Sequence, residues 1–139
     1  FEQHMDFDYV PGVVDFITEL RSRQVKTAVV TSSNLDKMRN LYAAHPEVHQ
    51  LFDRIFTAED FSRSKPDPEC YLIGAAAFDV QPSECVGFED SFNGLRAVRA
   101  AGMYVVGLAT TNDEDAIRTY CDVVINDYTA WIHRIQLSI

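Results

Sequence analysis

Apolar residues along the chain follow two spacings, one typical of helices and one typical of buried strands. The first helical segment opens after Pro11-Gly12 and keeps the spacing i, i+3, i+4, i+7 at Val13, Phe16, Ile17 and Leu20. Residues 27–30 form a short, mostly β-branched run without an interrupting charge, which predicts a strand buried on both faces. The two spacings then alternate to the end of the chain.

The alternation predicts an α/β fold. Further helices are expected at 35–44, 69–78, 91–101, 113–120 and 128–135, and further strands at 55–57, 85–88, 104–108 and 123–125. Strands that alternate with helices form parallel sheets with right-handed crossovers, so we expect a three-layer α/β/α sandwich with a Rossmann-like sheet. Because there is no Gly/Ser-rich linker and no repeat, residues 1–139 are predicted to form one domain.

Composition narrows the class of protein. With 139 residues, 47% hydrophobic, the chain is long enough to bury a core without disulfides or a structural metal. The net charge of −9 argues against nucleic acid as a partner, because binding to phosphate backbones requires clustered positive charge. Three cysteines without a CxxC pair suggest reduced thiols in a cytoplasmic protein. Apolar runs shorter than the roughly 20 residues of a bilayer span predict no membrane partner.

Polar groups follow several predicted strands at the edge where ligands bind in parallel sheets. Thr31-Ser32-Ser33-Asn34 follows the first strand, and Thr110-Thr111-Asn112 follows a later one. Lys65 precedes a helix, and Glu89-Asp90 leads into another. These loops are predicted to bring hydroxyl groups, an ammonium group and two carboxylates to one rim.

Each of these groups has a structural and a functional interpretation. Thr31 and Ser32 would either cap a helix or bind a phosphoryl oxygen at its N-terminus. Lys65 is either an ordinary solvated lysine or a fixed positive charge for an anionic oxygen, stiffened by the following prolines. Glu89 and Asp90 are either a polar strand end or two carboxylates whose repulsion a Mg²⁺ ion would relieve.

The combination of these polar loops along one chain is more specific for a function than any one loop. Val29-Val30-Thr31-Ser32-Ser33-Asn34, Ser64-Lys65-Pro66-Asp67-Pro68-Glu69 and Gly87-Phe88-Glu89-Asp90-Ser91-Phe92-Asn93-Gly94 resemble, in order and spacing, motifs two, three and four of the haloacid dehalogenase superfamily. The Phe-Glu-Asp-Ser form and the Pro11-Gly12-Val13 lead-in are most similar to the β-phosphoglucomutase-like branch, which includes sugar-phosphate phosphatases. The resemblance extends from about Pro11 to Ile125.

The resemblance implies a role for each matching residue. Thr31 would bind a phosphoryl oxygen, with Ser32 and Asn34 lining the same pocket, and Lys65 would neutralise the phosphate and the nucleophilic carboxylate. Asp90 would ligate Mg²⁺, with Glu89 as a second ligand or a water-mediated support. Ser91 and Asn93 would steady that loop. The implied chemistry is phosphoryl transfer through an aspartyl phosphate.

The family's first motif, Asp-x-Asp on the first strand, supplies the nucleophile and is not found. Asp6-Phe7-Asp8 has the spacing but lacks the preceding strand and the usual sequel, so we interpret it as a solvated lead-in to the first helix. The substrate-selecting cap is also missing, and the first residue is Phe1 rather than Met. We therefore expect this chain to be the C-terminal part of a longer protein, or one chain of a two-part assembly. In either case the missing segment would complete the sheet.

Three functions remain open from the sequence. The leading one is a Mg²⁺-dependent phosphatase of a small phosphorylated metabolite, such as a sugar phosphate. The second is a phosphomutase of the β-phosphoglucomutase type, and the third is a catalytically silent domain that binds a phosphorylated ligand or a protein. Lys65 is expected near solvent, so that its replacement by alanine would lower turnover with little loss of stability.

Overall fold

The computed structural model describes residues 12–129, which fall into two compact units. The first unit contains residues 12–59 and 127–129, and the second contains residues 60–126. Asp6 and Asp8, and most of the helix predicted at 128–135, lie outside the described residues.

The first unit is built from three helices and a two-stranded parallel sheet. Its elements are α1 (Val13–Ser22), β1 (Ala28–Val30), α2 (Leu35–Ala44), α3 (Val48–Leu51) and β2 (Arg54–Phe56). The apolar spacing of α1 buries Val13, Phe16, Ile17 and Leu20, as the sequence predicts. In the sheet, Val29 lies opposite Ile55.

The second unit contains the larger sheet. Its elements are α4 (Glu69–Ala77), β3 (Val86–Glu89), α5 (Phe92–Ala101), β4 (Tyr104–Leu108), α6 (Glu114–Ile117) and β5 (Val123–Ile125). The three strands are parallel in the order β3-β4-β5, with Phe88 opposite Val106 and Leu108 opposite Ile125. Because the strands run in one direction, the loops after β3 and β4 leave from the same edge of this sheet.

The predicted elements correspond closely to those observed. The predicted bounds 35–44, 104–108 and 123–125 match α2, β4 and β5. The helix predicted at 113–120 is instead a short α-helix followed by a 3₁₀ turn at Arg118–Tyr120. Helix α3 is not predicted, because four residues are too few for a 3.6-residue period to be recognised.

The burial predicted for β1 is wrong. All three of its residues are half-buried rather than enclosed on both faces. Within residues 12–129, β1 pairs with β2 alone, and a strand with a neighbour on one side keeps part of its surface open.

The cysteines carry free thiols, with Cys70 buried and Cys85 and Cys121 half-buried. None of the helices between residues 12 and 129 is long and apolar enough to cross a membrane.

Candidate functional site

The loop between β3 and α5 carries the two adjacent carboxylates. Glu89 is the last residue of β3, Asp90 follows it, and Ser91 caps α5 by accepting a hydrogen bond from the Gly94 N–H at 3.0 Å. A serine at this position satisfies one of the N–H groups that a helix start leaves without an intrahelical partner. The strand and the capped helix thus hold both carboxylates at the edge of the sheet.

Glu89 belongs to a buried charged cluster with Lys65 and Tyr71. Lys65 Nζ lies 2.5 Å from Glu89 Oε2, and the side chains are only 10% and 9% exposed. The Tyr71 hydroxyl donates a hydrogen bond to the same carboxylate oxygen, and the ammonium lies 5.4 Å from the centroid of the Tyr71 ring. A buried carboxylate is stable only when it is paired and hydrogen-bonded, and Glu89 meets both conditions.

The cluster corrects one expectation about Lys65. Its side chain is buried against Glu89 rather than near solvent. Removing the lysine would leave the Glu89 carboxylate buried without a counter-charge, which typically costs about 3 to 5 kcal/mol. Replacement of Lys65 is therefore expected to lower stability as well as turnover.

Glu89 also explains why residue 94 is glycine. A Cβ at this position would lie 2.8 Å from Glu89 Oε2 and closer still to the other carboxylate atoms, whereas ordinary contacts begin at 3.4 Å. The first turn of α5 thus approaches the carboxylate so closely that no other residue type fits without movement.

Asp90 has a different environment from its neighbour. It is 8% exposed, and the Thr111 hydroxyl donates a hydrogen bond to its Oδ2 at 2.9 Å. The Asn112 side-chain amide donates to the main-chain oxygen of Asp90 at 3.2 Å. Within residues 12–129, no lysine, arginine or histidine nitrogen lies within 4.0 Å of the Asp90 carboxylate. A buried carboxylate without a counter-charge is costly, so this position suits a bound cation.

The donor set around Asp90 fits Mg²⁺ better than a metal held by a protein cage. Among residues 12–129 there is no group of three or more His, Cys, Asp or Glu that could hold a metal ion. Mg²⁺ commonly uses only one or two protein carboxylates, together with water and substrate phosphate. A site with a single protein carboxylate is therefore compatible with Mg²⁺, which Asp90 would hold.

The residues predicted to bind phosphate lie in the first unit, after β1. Thr31 is 1% exposed; its N–H donates to the Phe56 carbonyl oxygen, and its hydroxyl accepts from the Ser33 N–H, both at 3.0 Å. Ser32 and Asn34 are exposed. The Asn34 side chain caps α2 by accepting from the Lys37 N–H at 2.9 Å, so the cap lies at Asn34 and not at Thr31 or Ser32, where the sequence offered it as the structural alternative.

A second side chain at the start of α2 was not predicted from the sequence. The Glu59 carboxylate accepts a hydrogen bond from the Leu35 N–H at 3.2 Å and another from the Thr57 hydroxyl at 3.0 Å. The Leu35 hydrogen bond lowers the pKa of Glu59, so the carboxylate is charged at neutral pH. No spacing rule links Glu59 to a helix start 24 residues earlier.

The structure thus assigns the predicted residues to two groups. Lys65, Glu89 and Asp90 lie in the second unit, where Lys65 and Glu89 are in direct contact. Thr31, Ser32 and Asn34 lie in the first. Tyr71 is not among the site residues predicted from the sequence, and its hydroxyl is the signal that could have indicated a polar partner.

Comparison with known proteins decides the family. A family model described as haloacid dehalogenase-like hydrolase matches residues 6–102, which is more than half of the chain. The chain belongs to the haloacid dehalogenase-like hydrolases. The family resemblance, predicted from the motifs, and the α/β fold with parallel sheets, predicted from the alternation of strands and helices, are confirmed.

Relatives within the haloacid dehalogenase-like hydrolases include phosphatases and a phosphomutase. The chain is 37% identical over 126 residues to a validoxylamine A 7'-phosphate phosphatase from Streptomyces hygroscopicus subsp. limoneus, covering 89% of this chain and 58% of the relative. It is 32% identical over 102 residues to a β-phosphoglucomutase from Bacillus subtilis, covering 73% and 43%. The crystal structure of CbbY from Rhodobacter sphaeroides in complex with phosphate superimposes with a TM-score of 0.75 at 28% identity, covering 86% and 54%. The chain spans about half the length of these relatives.

Proposed function

We propose that the protein containing this chain is a Mg²⁺-dependent phosphatase that acts on a small phosphorylated metabolite such as a sugar phosphate. The observation that carries the proposal is the Asp90 carboxylate, which is buried and hydrogen-bonded by a hydroxyl on one oxygen, with no positively charged side chain of residues 12–129 beside it. Relatives named for phosphatases of phosphorylated small molecules support the substrate class.

In this proposal Asp90 holds the ion, and Glu89 supports the site without binding the ion directly. Glu89 Oε2 is already occupied by Lys65 and Tyr71, which favours the supporting role among the two that the motif implies. When bound, Mg²⁺ supplies positive charge that stabilises the charge developing on the transferred phosphoryl group.

Lys65 would add a second, fixed positive charge. Its pairing with Glu89 and its position against the Tyr71 ring restrict the ammonium to one place. A preorganised charge in a site shielded from water stabilises a transition state more than the same charge in solvent does. Lys65 would thus attract the phosphoryl oxygens without a rearrangement during the reaction.

Two further parts complete the proposal. Thr31, Ser32 and Asn34 would contribute hydroxyl, amide and main-chain donors to the phosphoryl group at the start of α2. The nucleophilic aspartate, which would form the aspartyl phosphate, would come from a further segment of the same protein or from a second chain.

The test uses the full-length natural protein. Phosphate release from a panel of sugar phosphates and nucleoside monophosphates is measured with and without Mg²⁺ for the parent protein and for Asp90→Asn. We expect release that requires Mg²⁺ and falls about 100-fold or more in Asp90→Asn. Asp122→Asn is the matched control, because Asp122 is a carboxylate of the same unit that is paired with Arg99.

The outcomes separate the candidate functions. Equal loss in Asp90→Asn and Asp122→Asn would show a general effect on folding and contradict the metal role of Asp90. A phosphomutase remains the second candidate, because a β-phosphoglucomutase is among the relatives. It would convert one sugar phosphate to its isomer without releasing phosphate, which ³¹P NMR of the same reactions detects. Neither release nor isomerisation with any substrate would favour the silent binding domain.

A further inference from the structure

Two residues of the loop after β4 donate hydrogen bonds to Asp90, one to its side chain and one to its main chain. Thr111 Oγ1 donates to the side-chain Oδ2 at 2.9 Å, and the Asn112 amide donates to the main-chain oxygen at 3.2 Å. The two donors are adjacent in sequence, and both reach the residue that follows β3 from the neighbouring strand of the sheet. The side chain and the main chain of Asp90 are therefore oriented by one short segment.

The two neighbouring carboxylates, Glu89 and Asp90, have hydrogen-bonding partners of different charge. Glu89 is neutralised by the ammonium of Lys65, whereas Asp90 receives a neutral hydroxyl donor. A hydroxyl donor orients a carboxylate and leaves its negative charge in place. It also occupies one oxygen, Oδ2, whereas Oδ1 accepts no hydrogen bond from residues 12–129.

We propose that Thr111 is a positioning residue for the metal site, which fixes the Asp90 carboxylate through Oδ2 and leaves Oδ1 available to a cation; this rests on the proposed function. An aspartate side chain has two rotatable bonds, and a carboxylate without a second partner would populate several orientations. The hydroxyl removes that freedom before the ion arrives. Hydrogen-bonding partners of metal ligands commonly act in this way, by orienting the ligand and tuning its affinity for the metal.

Thr111 is suited to this role and is not needed for the core. The residue is exposed, so its replacement removes little packing. The preceding residue, Thr110, is also exposed and makes no hydrogen bond to Asp90. The chain therefore offers a matched control one residue away.

The experiment measures metal binding directly, without substrate or turnover. Free Mn²⁺ is followed by electron paramagnetic resonance during titration of the whole protein, and Mg²⁺ affinity is obtained by competition. In Thr111→Val, which keeps the shape and removes the hydroxyl, we expect the Kd of both ions to rise about 10- to 100-fold. Thr111→Ser, which restores a hydroxyl, should recover most of the affinity, and Thr110→Val should bind as the parent does.

A second measurement distinguishes positioning from a structural role. With Thr111→Val, raising the Mg²⁺ concentration should return kcat towards the parent value, because the ligand itself is intact. A loss of kcat that persists at saturating Mg²⁺, together with an unchanged Kd, would overturn the proposal.

Asp90→Asn in the same titration separates the two proposals. If it loses Mn²⁺ binding and Thr111→Val does not, the positioning role is wrong and the proposed function stands. If Asp90→Asn binds Mn²⁺ as the parent does, the metal role of Asp90 fails, and the role of Thr111 fails with it.

Discussion

Replacement of Gly94 by alanine tests the close contact between α5 and Glu89. Alanine is a better helix former than glycine, so an exposed helix position would gain up to about 1 kcal/mol of stability. At Gly94, however, the new Cβ would lie 2.8 Å from Glu89 Oε2, with the other carboxylate atoms nearer. Either the helix or the carboxylate must move.

The size of the effect depends on which of the two moves. Overpacking a filled site typically costs about 1 to 3 kcal/mol. If the carboxylate is displaced, its contact with Lys65 is lost inside the protein, and breaking such a buried pair costs about 3 to 5 kcal/mol. Because the three nearest atoms all belong to the Glu89 carboxylate, we expect the carboxylate to be displaced, and after subtracting the gain in helix propensity we expect Gly94→Ala to lower the free energy of unfolding by about 2 to 4 kcal/mol.

The assay is urea unfolding of the whole protein, followed by circular dichroism, with Gly102→Ala as the control. Gly102 ends the same helix at φ +84°, and no atom lies within 4 Å of its would-be Cβ. The control should cost about 1 to 2 kcal/mol through backbone conformation alone. Phosphate release should fall in Gly94→Ala and stay near the parent value in Gly102→Ala, because only the first disturbs Glu89 and Lys65.

The sign of the change in unfolding free energy tests whether α5 and the Glu89 carboxylate are in close contact. A Gly94→Ala protein that is as stable as the parent, or more stable, would show that helix propensity outweighs the contact. It would also show that the Glu89 carboxylate moves aside without losing Lys65, and the description of a tightly held cluster would be wrong.

Three other predictions concern single residues. Leu95→Ala removes a side chain of α5 that is 0% exposed, and it should lower the free energy of unfolding by about 2 to 5 kcal/mol in the same assay. A loss below about 1 kcal/mol would contradict the place of Leu95 in the core. Asn34→Ala removes the cap of α2 and should cost about 0.5 to 2 kcal/mol, with Asn34→Asp retaining the cap and the stability. The Val105 N–H donates a hydrogen bond to the Asp122 carboxylate at 2.8 Å and lowers its pKa. The charged carboxylate therefore stabilises the fold at pH values above its unfolded-state pKa of about 4. This stabilisation is lost as the pH falls through the lower, folded-state pKa. The difference in unfolding midpoint between the parent and Asp122→Asn should therefore be largest at neutral pH and shrink in acid. A difference that grows in acid would contradict the predicted direction of this pH dependence.

Local patterns were sufficient to predict most of the elements. Helix α1 follows from the spacing of Val13, Phe16, Ile17 and Leu20, and β4 from an uninterrupted apolar run. The end of α5 follows from Gly102, whose positive φ stops the helix. These features depend on neighbours within a few residues, so the sequence alone contains the information that specifies them.

The order of polar loops along the chain also indicated the family. Thr31, Lys65 and the Glu89-Asp90 pair each follow or precede an element in the order that the motifs require, and the family match confirms the resemblance. The roles of these residues in binding metal and phosphate stay predictions, because motif spacing carries no distance between one loop and the next.

Tertiary structure decided the partners of each charge. Lys65 and Glu89 are separated by 24 residues, and Asp90 and Thr111 by 21, so no local pattern pairs them. The pairing arises because parallel strands β3 and β4 bring their following loops to one edge of the sheet, while α4 places Tyr71 beside Glu89. The sequence by itself determined the elements and the chemical groups they carry, through short-range sterics and hydrophobic spacing. Packing over long separations determined that one of two adjacent carboxylates pairs with a lysine and the other accepts a hydrogen bond from a neutral hydroxyl.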